Sequence, residues 1–370
     1  MSSADASHAM SGHALPAGTR LGEFELRRVV GVGGFGIVYL AWDHGLEREV
    51  AIKEYMPSSL ATRTASLHVS ITSPTHADTF ALGLRSFVNE ARLLARFDHP
   101  SLIKVHRFWE DRGTAYMVMP LYRGRTLREV RQAMSAPPDE AWLRKLLEPL
   151  LGALDVLHRE AVFHRDIAPD NIVIADDGVP MLLDFGAARH VIKDRSQTLT
   201  AILKPSYAPI EQYGETGSLR QGAWTDLYAL GATLHYLLLN VPPAQATARM
   251  VHDDAPPLAE SAAGKGLSTP FLQTIDWMLA PRPADRPQSI AELREALAGR
   301  SPIPTRGDAA PTVAWQRTQA QAPAAPAAAP AAPVAPPPEE GIDFDLTVVQ
   351  PRRPSAQPPA PAADPRRAEP

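Results

Sequence analysis

Apolar and polar positions keep a strand-like pattern over the first hundred residues and then change period. Phe24 to Val30, Gly36 to Trp42 and Glu49 to Glu54 are rich in β-branched and aromatic residues and separated by turn-like joints, which predicts a three-strand meander. Phe87, Ala91 and Leu94 then recur at helical spacing. Glu90 falls on that same apolar stripe, where an acid requires a cationic partner. Leu102 to Trp109 and Ala115 to Met119 predict two further strands, giving a small antiparallel sheet with one helix across it. After Tyr122 the period is helical, over residues 126–133, 140–159, 224–240, 270–280 and 288–298. The expected class is α+β, a sheet-rich first part followed by a larger, mainly α part.

Two stretches fall outside this pattern. Between Glu54 and Arg85 the chain carries Pro57, Pro74 and many Ser and Thr, longer than an ordinary connection, which predicts an insertion at about 54–85 with small elements of its own. After about Arg300 the composition shifts, with 17 of the 37 prolines interleaved with Ala, so too little apolar surface is available to offset ordering entropy. The expected organisation is therefore a flexible segment over 1–23, one domain over 24–299 and a disordered Pro/Ala-rich tail over 300–370. No repeat of 20 to 50 residues argues for a solenoid or propeller.

With 370 residues and 45% apolar content the chain can bury a full core, and a net charge of -4 gives no field favouring nucleic acid. The absence of cysteine excludes disulfides, thiolate zinc sites and thiol nucleophiles, and fits a reducing compartment. Met1 to Arg20 has no basic cluster leading into an apolar run, and the apolar stretch Leu227 to Val241 is short and carries His235 and Asn240. A cytoplasmic protein without a membrane span is expected.

The chemistry lies in four places. Gly31-Val32-Gly33-Gly34-Phe35-Gly36 lets backbone approach phosphate oxygens without a Cβ in the way, and the strand-like Ile37 to Ala41 that follows makes it a hairpin lid rather than a dinucleotide loop. Without other motifs it reads equally well as a flexible hairpin. Val50-Ala51-Ile52-Lys53 ends a strand with a lysine that reaches phosphates if Glu90 steadies it. His164-Arg165-Asp166-Ile167-Ala168-Pro169-Asp170-Asn171 supplies a candidate base, Asp166. Asp184-Phe185-Gly186 follows, and Asn171 and Asp184 offer hard oxygen ligands suited to Mg²⁺, with Mn²⁺ as a substitute.

Taken in order, GVGGFGIV, VAIK, FVNEA, HRDIAPDN, LLDFG, YAPIEQY, Trp224 to Gly231 and Ala284-Asp285-Arg286-Pro287 resemble a eukaryotic-type serine/threonine protein kinase of the bacterial, Hanks type, over residues 24–299. The resemblance implies a bilobal fold, with an N-lobe over 24–120 and a C-lobe over 121–299. It implies transfer of the γ-phosphoryl group of ATP to Ser/Thr hydroxyls of protein substrates, with Asp166 as base and Lys53, Glu90 and Asn171 supporting it. Adenine would lie between the lobes against Val38, Ala51 and Val173, with Met119 as gatekeeper and Pro120 and Tyr122 on the linker. Glu211 would pair with Arg286, and Asp226 would hold the catalytic-loop backbone.

The pattern breaks at Ala168, where such kinases carry a lysine that touches the γ-phosphate. Lys204, seven residues before Glu211, is expected to supply that charge; its alternative is a solvent-facing loop residue. Arg165 would form a basic pocket for a phosphate, with Ser196, Thr198 and Thr200 as candidate autophosphorylation sites. Two islands in the tail, Thr312 to Trp315 and Asp343 to Val349, would suit a phosphothreonine-reading partner. Against the kinase stand a pseudokinase or nucleotide-binding scaffold, motivated by Ala168 and LKPSYAPIE, and a small-molecule kinase, disfavoured by YAPIEQY.

Overall fold

The computed structural model describes residues 13–184, 204–214, 220–261 and 266–304. Its first half is an antiparallel sheet built from β1 (Arg20–Leu21), β2 (Phe24–Gly33), β3 (Gly36–Asp43), β4 (Arg48–Tyr55), β7 (Arg107–Asp111) and β8 (Thr114–Pro120), in the order β1-β2-β3-β4-β8-β7. A hairpin of β5 (Ala61–Arg63) and β6 (Val69–Ile71) and a 3₁₀ turn, Pro74–His76, fill the expected insertion. They lead into α1 (Ala77–Leu94). Helix formation starts well before the Phe87 stripe, because Phe80 and Gly83 continue the same buried face backwards.

The central strands β3, β4 and β8 are covered on both sides, whereas β2 is exposed from Arg27 to Gly33. On one face Ala51, Tyr55, Ala115, Met117 and Met119 join the main core with Phe87 and Leu94 of α1. On the other, Tyr39, Val50, Ile52, Tyr116 and Val118 meet Leu15, Leu21 and Phe24 in a second core. Strands covered on both faces read as near-continuous apolar runs rather than as alternation. Part of the 1–23 segment is thus not the flexible leader expected from sequence: Leu15 is 3% exposed, and its N–H donates to the Tyr39 hydroxyl at 3.0 Å.

A buried ionic knot joins these layers. The Glu54 carboxylate accepts Nη2 of Arg63 on both oxygens at 2.6 Å, the Tyr39 hydroxyl at 2.7 Å and the Tyr116 hydroxyl at 3.0 Å. Arg63 also donates to the carbonyls of His13 at 2.6 Å and Leu67 at 3.0 Å. The Arg63 and Glu54 side chains are 2% and 0% exposed, so each charge depends on the other to offset the loss of water. Burial and the neighbouring Glu54 charge push the Tyr39 hydroxyl far above its ordinary range.

The expected strand Leu102–Trp109 forms only from Arg107 onward. Residues before it bond elsewhere: Leu182 donates its N–H to Ser101 at 2.9 Å, and Leu102 makes a parallel bridge to Leu182.

The second half holds β9 (Gly124–Thr126), α2 (Leu127–Ala133), α3 (Glu140–Arg159), β10 (Ile172–Ala175), β11 (Pro180–Leu182), α4 (Ala223–Leu239), α5 (Ala246–Val251), α6 (Thr269–Met278) and α7 (Ile290–Leu297). β11, β10 and β9 form a small antiparallel sheet that sequence reading did not foresee, since its strands are three or four residues long. α2 starts in a capping box between Thr126 and Glu129, and α3 on the Asp139 side chain, which accepts the Trp142 N–H at 2.8 Å. α4 is apolar nearly all round and buried, and it ends at Asn240 in the left-handed region, φ 56°. Among the described residues no helix is long and apolar enough to cross a membrane.

Glu211 and Arg286 meet at 2.8 Å with both side chains 0% exposed. Arg286 further donates to the carbonyls of Ala280 at 2.7 Å and Pro281 at 2.8 Å and lies over the Tyr228 ring at 4.6 Å. Thr225 donates to the same Glu211 oxygen at 2.9 Å, tying α4 to the pair.

Candidate active site

Strand alternation puts Lys53 of β4 on the face opposite Glu54. Its ammonium is 3.9 Å from the Glu90 carboxylate of α1, in direct contact with Oδ1 of Asp184, and 5.9 Å from the Phe87 ring centroid. Glu90 is 3% exposed and Asp184 42%. The acid anticipated on the apolar stripe therefore faces the predicted cation, and Asp184 joins from 131 positions further along the chain. That third contact was legible only as a motif.

The hairpin Gly33–Gly36 closes β2 on β3. A Cβ on Gly36 would lie 2.5 Å from the Glu54 carbonyl oxygen, so this turn against β4 excludes any larger residue. Gly31, Val32, Gly33, Gly34 and Phe35 complete the loop, with Val32 40% exposed and the Phe35 carbonyl accepting the Met56 N–H at 3.1 Å.

Behind it Ala51 pairs in register with Met119, and Val38 with Lys53. Val173 of β10 is 9% exposed and alternates with Ile172, which points into the main core. Pro120 ends β8 opposite Val50, where the missing N–H costs no ladder bond beyond the strand. The Tyr122 hydroxyl accepts the Lys104 N–H at 3.3 Å, which anchors the connection between the halves.

The loop containing Asp166 is held from beneath. Asp226 of α4 accepts the N–H groups of His164 at 2.9 Å and Arg165 at 2.7 Å, and pairs with Nε2 of His158 at 2.8 Å. Burial pushes the Asp226 carboxyl up, but the His158 hydrogen bond and the adjacent charges hold it below its ordinary value. His164 contacts the Leu183 carbonyl through Nε2 at 3.0 Å, and burial pushes its imidazole down, so the ring is neutral there. Arg165 and Asp184 both adopt positive φ, 66° and 46°, a conformation that costs a non-glycine residue roughly 1–2 kcal/mol. The Asp226 bonds over-determine the first of these.

Asn171 donates through Nδ2 to the Asp166 carbonyl at 2.7 Å and to Oδ2 of Asp166 at 2.6 Å, and its carbonyl accepts the Leu183 N–H at 2.8 Å. The amide thus fixes the Asp166 carboxylate and turns its own Oδ1 elsewhere. One amide oxygen and the Asp184 carboxylate form a hard but incomplete donor set. No group of three or more His, Asp or Glu capable of holding a metal occurs among the described residues. The residues therefore fit a cation that brings phosphate and water oxygens with it, not a fully protein-ligated ion.

Ala168 is fully buried, so no charge comes from that position. Lys204 is half-buried, and its carbonyl accepts the N–H groups of Tyr207 at 2.8 Å and Ala208 at 3.0 Å. Gln212 donates to the Arg165 carbonyl at 2.7 Å, linking this segment to the Asp166 loop. Arg128 of α2 donates from Nε and Nη2 to the two oxygens of Asp170, the latter at 2.9 Å, a pairing that sequence reading missed because 42 positions separate the partners. Phe185, Gly186, Ser196, Thr198 and Thr200 lie outside the described residues, as do both tail islands.

Comparison with known proteins adds to this geometry. The protein kinase domain family matches residues 24–297. The chain is 28% identical over 285 residues to serine/threonine-protein kinase PknB of Mycobacterium leprae, covering 74% of this chain and 42% of that protein. It is 30% identical over 291 residues to the DNA damage-responsive serine/threonine-protein kinase RqkA of Deinococcus radiodurans, covering 75% and 40%. The matched part thus spans less than half the length of these curated relatives. Among solved structures, the apo form of PpkA-294 superposes with a TM-score of 0.72 at 49% identity, covering 77% of this chain and 99% of that one.

Proposed function

Because the chain belongs to the protein kinase family, whose members use ATP and a divalent metal on protein substrates, we propose that it transfers the γ-phosphoryl group of ATP to Ser/Thr hydroxyls. One observation carries this reading: Lys53, Glu90 and Asp184 converge on one ammonium, while Asn171 orients Asp166. A pseudokinase has no need to keep all five.

In this reading Asp166 accepts the proton of the acceptor hydroxyl as that oxygen bonds to the γ-phosphorus and the bond to the bridging oxygen of ADP breaks. The transition state is loose, so the residues chiefly position and screen. Lys53, steadied by Glu90, takes the α and β phosphates. The hairpin Gly31 to Gly36 covers them with backbone, and Val38, Ala51, Met119, Pro120, Tyr122 and Val173 receive the adenine. Asn171 and Asp184 hold Mg²⁺, for which Mn²⁺ substitutes, and the ion supplies charge neutralisation when bound.

Lys204 takes the place of the lysine missing at Ala168, on a backbone fixed by the bonds of its carbonyl to Tyr207 and Ala208. Autophosphorylation at Ser196, Thr198 or Thr200 beside Arg165, a phosphothreonine-reading partner for the tail and a cytoplasmic location rest on the sequence alone. The test is transfer of label from γ-labelled ATP in Mg²⁺ by the chain and by Asp166→Asn. Transfer by the first and loss of about 10³-fold or more in the second is expected, and equal labelling of both would refute it. Peptide mass analysis of the same reaction reports whether residues 196–200 carry phosphate.

A further inference from the structure

Lys53 and Tyr55 stand two positions apart on β4, so both side chains leave the same face of the strand, about 7 Å from each other. The first meets Glu90 of α1, and the second meets the beginning of the same helix. Tyr55 is fully buried. Its hydroxyl donates to the Phe80 carbonyl at 3.2 Å, and its ring centroid lies 5.2 Å from that of Phe80 and 5.9 Å from that of Phe87. One side chain therefore touches two turns of α1 on the face that also carries Glu90.

Strand β4 is the fixed partner in this contact. On its opposite face Glu54 is locked by Arg63, Tyr39 and Tyr116, and the Thr114 hydroxyl of β8 donates to the Tyr55 carbonyl. The next residue, Met56, donates its N–H to the Phe35 carbonyl of the glycine hairpin at 3.1 Å. Helix α1, by contrast, starts on His76 without a side-chain cap, so its first turns take their position from tertiary contacts.

The Lys53–Glu90 separation makes that position matter. At 3.9 Å it is about 1 Å longer than a charge-assisted hydrogen bond, so small displacements of α1 decide how firmly Glu90 holds the ammonium. Glu90 lies about 15 Å along the helix axis from Phe80, and a tilt of about 4° about the Phe80 end moves it by about 1 Å. Tyr55 opposes such a tilt, because a helix held at both Phe80 and Phe87 cannot pivot freely at either.

We infer that Tyr55 is a positioning residue for phosphoryl transfer: by anchoring α1 at Phe80 and Phe87 it sets the distance from Glu90 to Lys53. This rests on the proposed function, in which Glu90 steadies Lys53. A merely structural side chain would lower the rate by the same factor whether or not Glu90 can pair. A positioning one has no effect on the rate once Glu90 is lost.

The experiment measures initial rates of label transfer from γ-labelled ATP in Mg²⁺ by the full chain, at saturating and limiting ATP, with a thermal melt for each variant and Asp166→Asn as control. Tyr55→Leu should lower the saturated rate about 10-fold, with less than about a threefold change in the ATP concentration giving half-maximal rate. Tyr55→Phe, which keeps the ring and loses only the hydroxyl, should lie between that variant and the parent. In a Glu90→Gln background neither substitution at Tyr55 should lower the rate further, although Tyr55→Leu should still lower the melting temperature.

A folded Tyr55→Leu chain as active as the parent overturns the inference, as does an effect confined to the ATP concentration giving half-maximal rate. A loss that persists undiminished in the Glu90→Gln background overturns it too, leaving Tyr55 a stabilising residue only. If Glu90→Gln alone is harmless, the role given to Glu90 and this inference fall together. If Glu90→Gln is crippling while Tyr55→Leu is silent, the role of Glu90 stands and the inference alone is lost. Should Tyr55→Leu fold poorly by the melt, Tyr55→Phe decides: a loss that vanishes with Glu90→Gln supports the inference, and a persistent loss, or none, overturns it. Transfer untouched by Asp166→Asn refutes the proposed function itself, and the inference with it.

Discussion

The side-chain amide of Asn171 holds Asp166 twice, at the backbone carbonyl and at Oδ2, over 2.7 and 2.6 Å. Two donors from one planar group fix both the loop and the carboxylate rotamer, so in the function proposed above a single residue would couple metal binding to the orientation of the base. Asn171→Ala should therefore reduce the turnover number about 10²-fold and raise the Mg²⁺ concentration needed for half-maximal rate. A Mg²⁺ titration of label transfer reports both effects.

Glu211 and Arg286 are paired with no solvent contact, so removing one partner strands a buried charge. Arg286→Met should destabilise the domain by about 3–5 kcal/mol, whereas Arg286→Met combined with Glu211→Gln should recover a substantial part of that. Denaturant unfolding of the two variants tests it, and equal losses would place the cost in the Arg286 bonds to Ala280 and Pro281 instead.

His164 is buried with its imidazole pushed below the ordinary value by burial. The unfolded chain then takes up a proton near pH 6.5 that the folded chain does not, so the His164 contribution is complete above that pH and is lost as pH falls below it. The slope reaches at most about 1.4 kcal/mol per pH unit. His164→Gln should flatten the loss between pH 6.5 and 5, read from denaturant midpoints at each pH.

The matched family span begins at Phe24, yet Leu15 and Leu21 are buried and the His13 carbonyl accepts from Arg63. Deleting residues 1–23 exposes the second core. A cost of about 3–6 kcal/mol follows from two leucine side chains alone. A lower melting temperature for the 24–370 chain than for the full chain checks it.

Much of this was legible in the sequence because local chemistry and local pattern agreed. Helix 140–159 has its stripe and an Asp139 cap, and Glu90 announced its partner by standing on an apolar face. What stayed hidden depends on contacts between distant segments. Ala115 to Met119 looks uniformly apolar because both faces are covered, but nothing local says that residues 13–21 cover one of them. β9, β10 and β11 are too short for a period to show, and the Arg128–Asp170 pair is made only once α2 packs beside the Asp166 loop.

Lys53 and Glu54 are neighbours in sequence, and β4 sends them to opposite sides of one sheet. Their charges give the strand a polarity check that hydrophobic packing alone lacks. A slip of one residue would set a carboxylate against Glu90 and Asp184 and bury a lysine between two tyrosines and an arginine, two penalties for a single error. The same knot that secures the outer layer thereby guarantees which side chain meets Glu90 and Asp184.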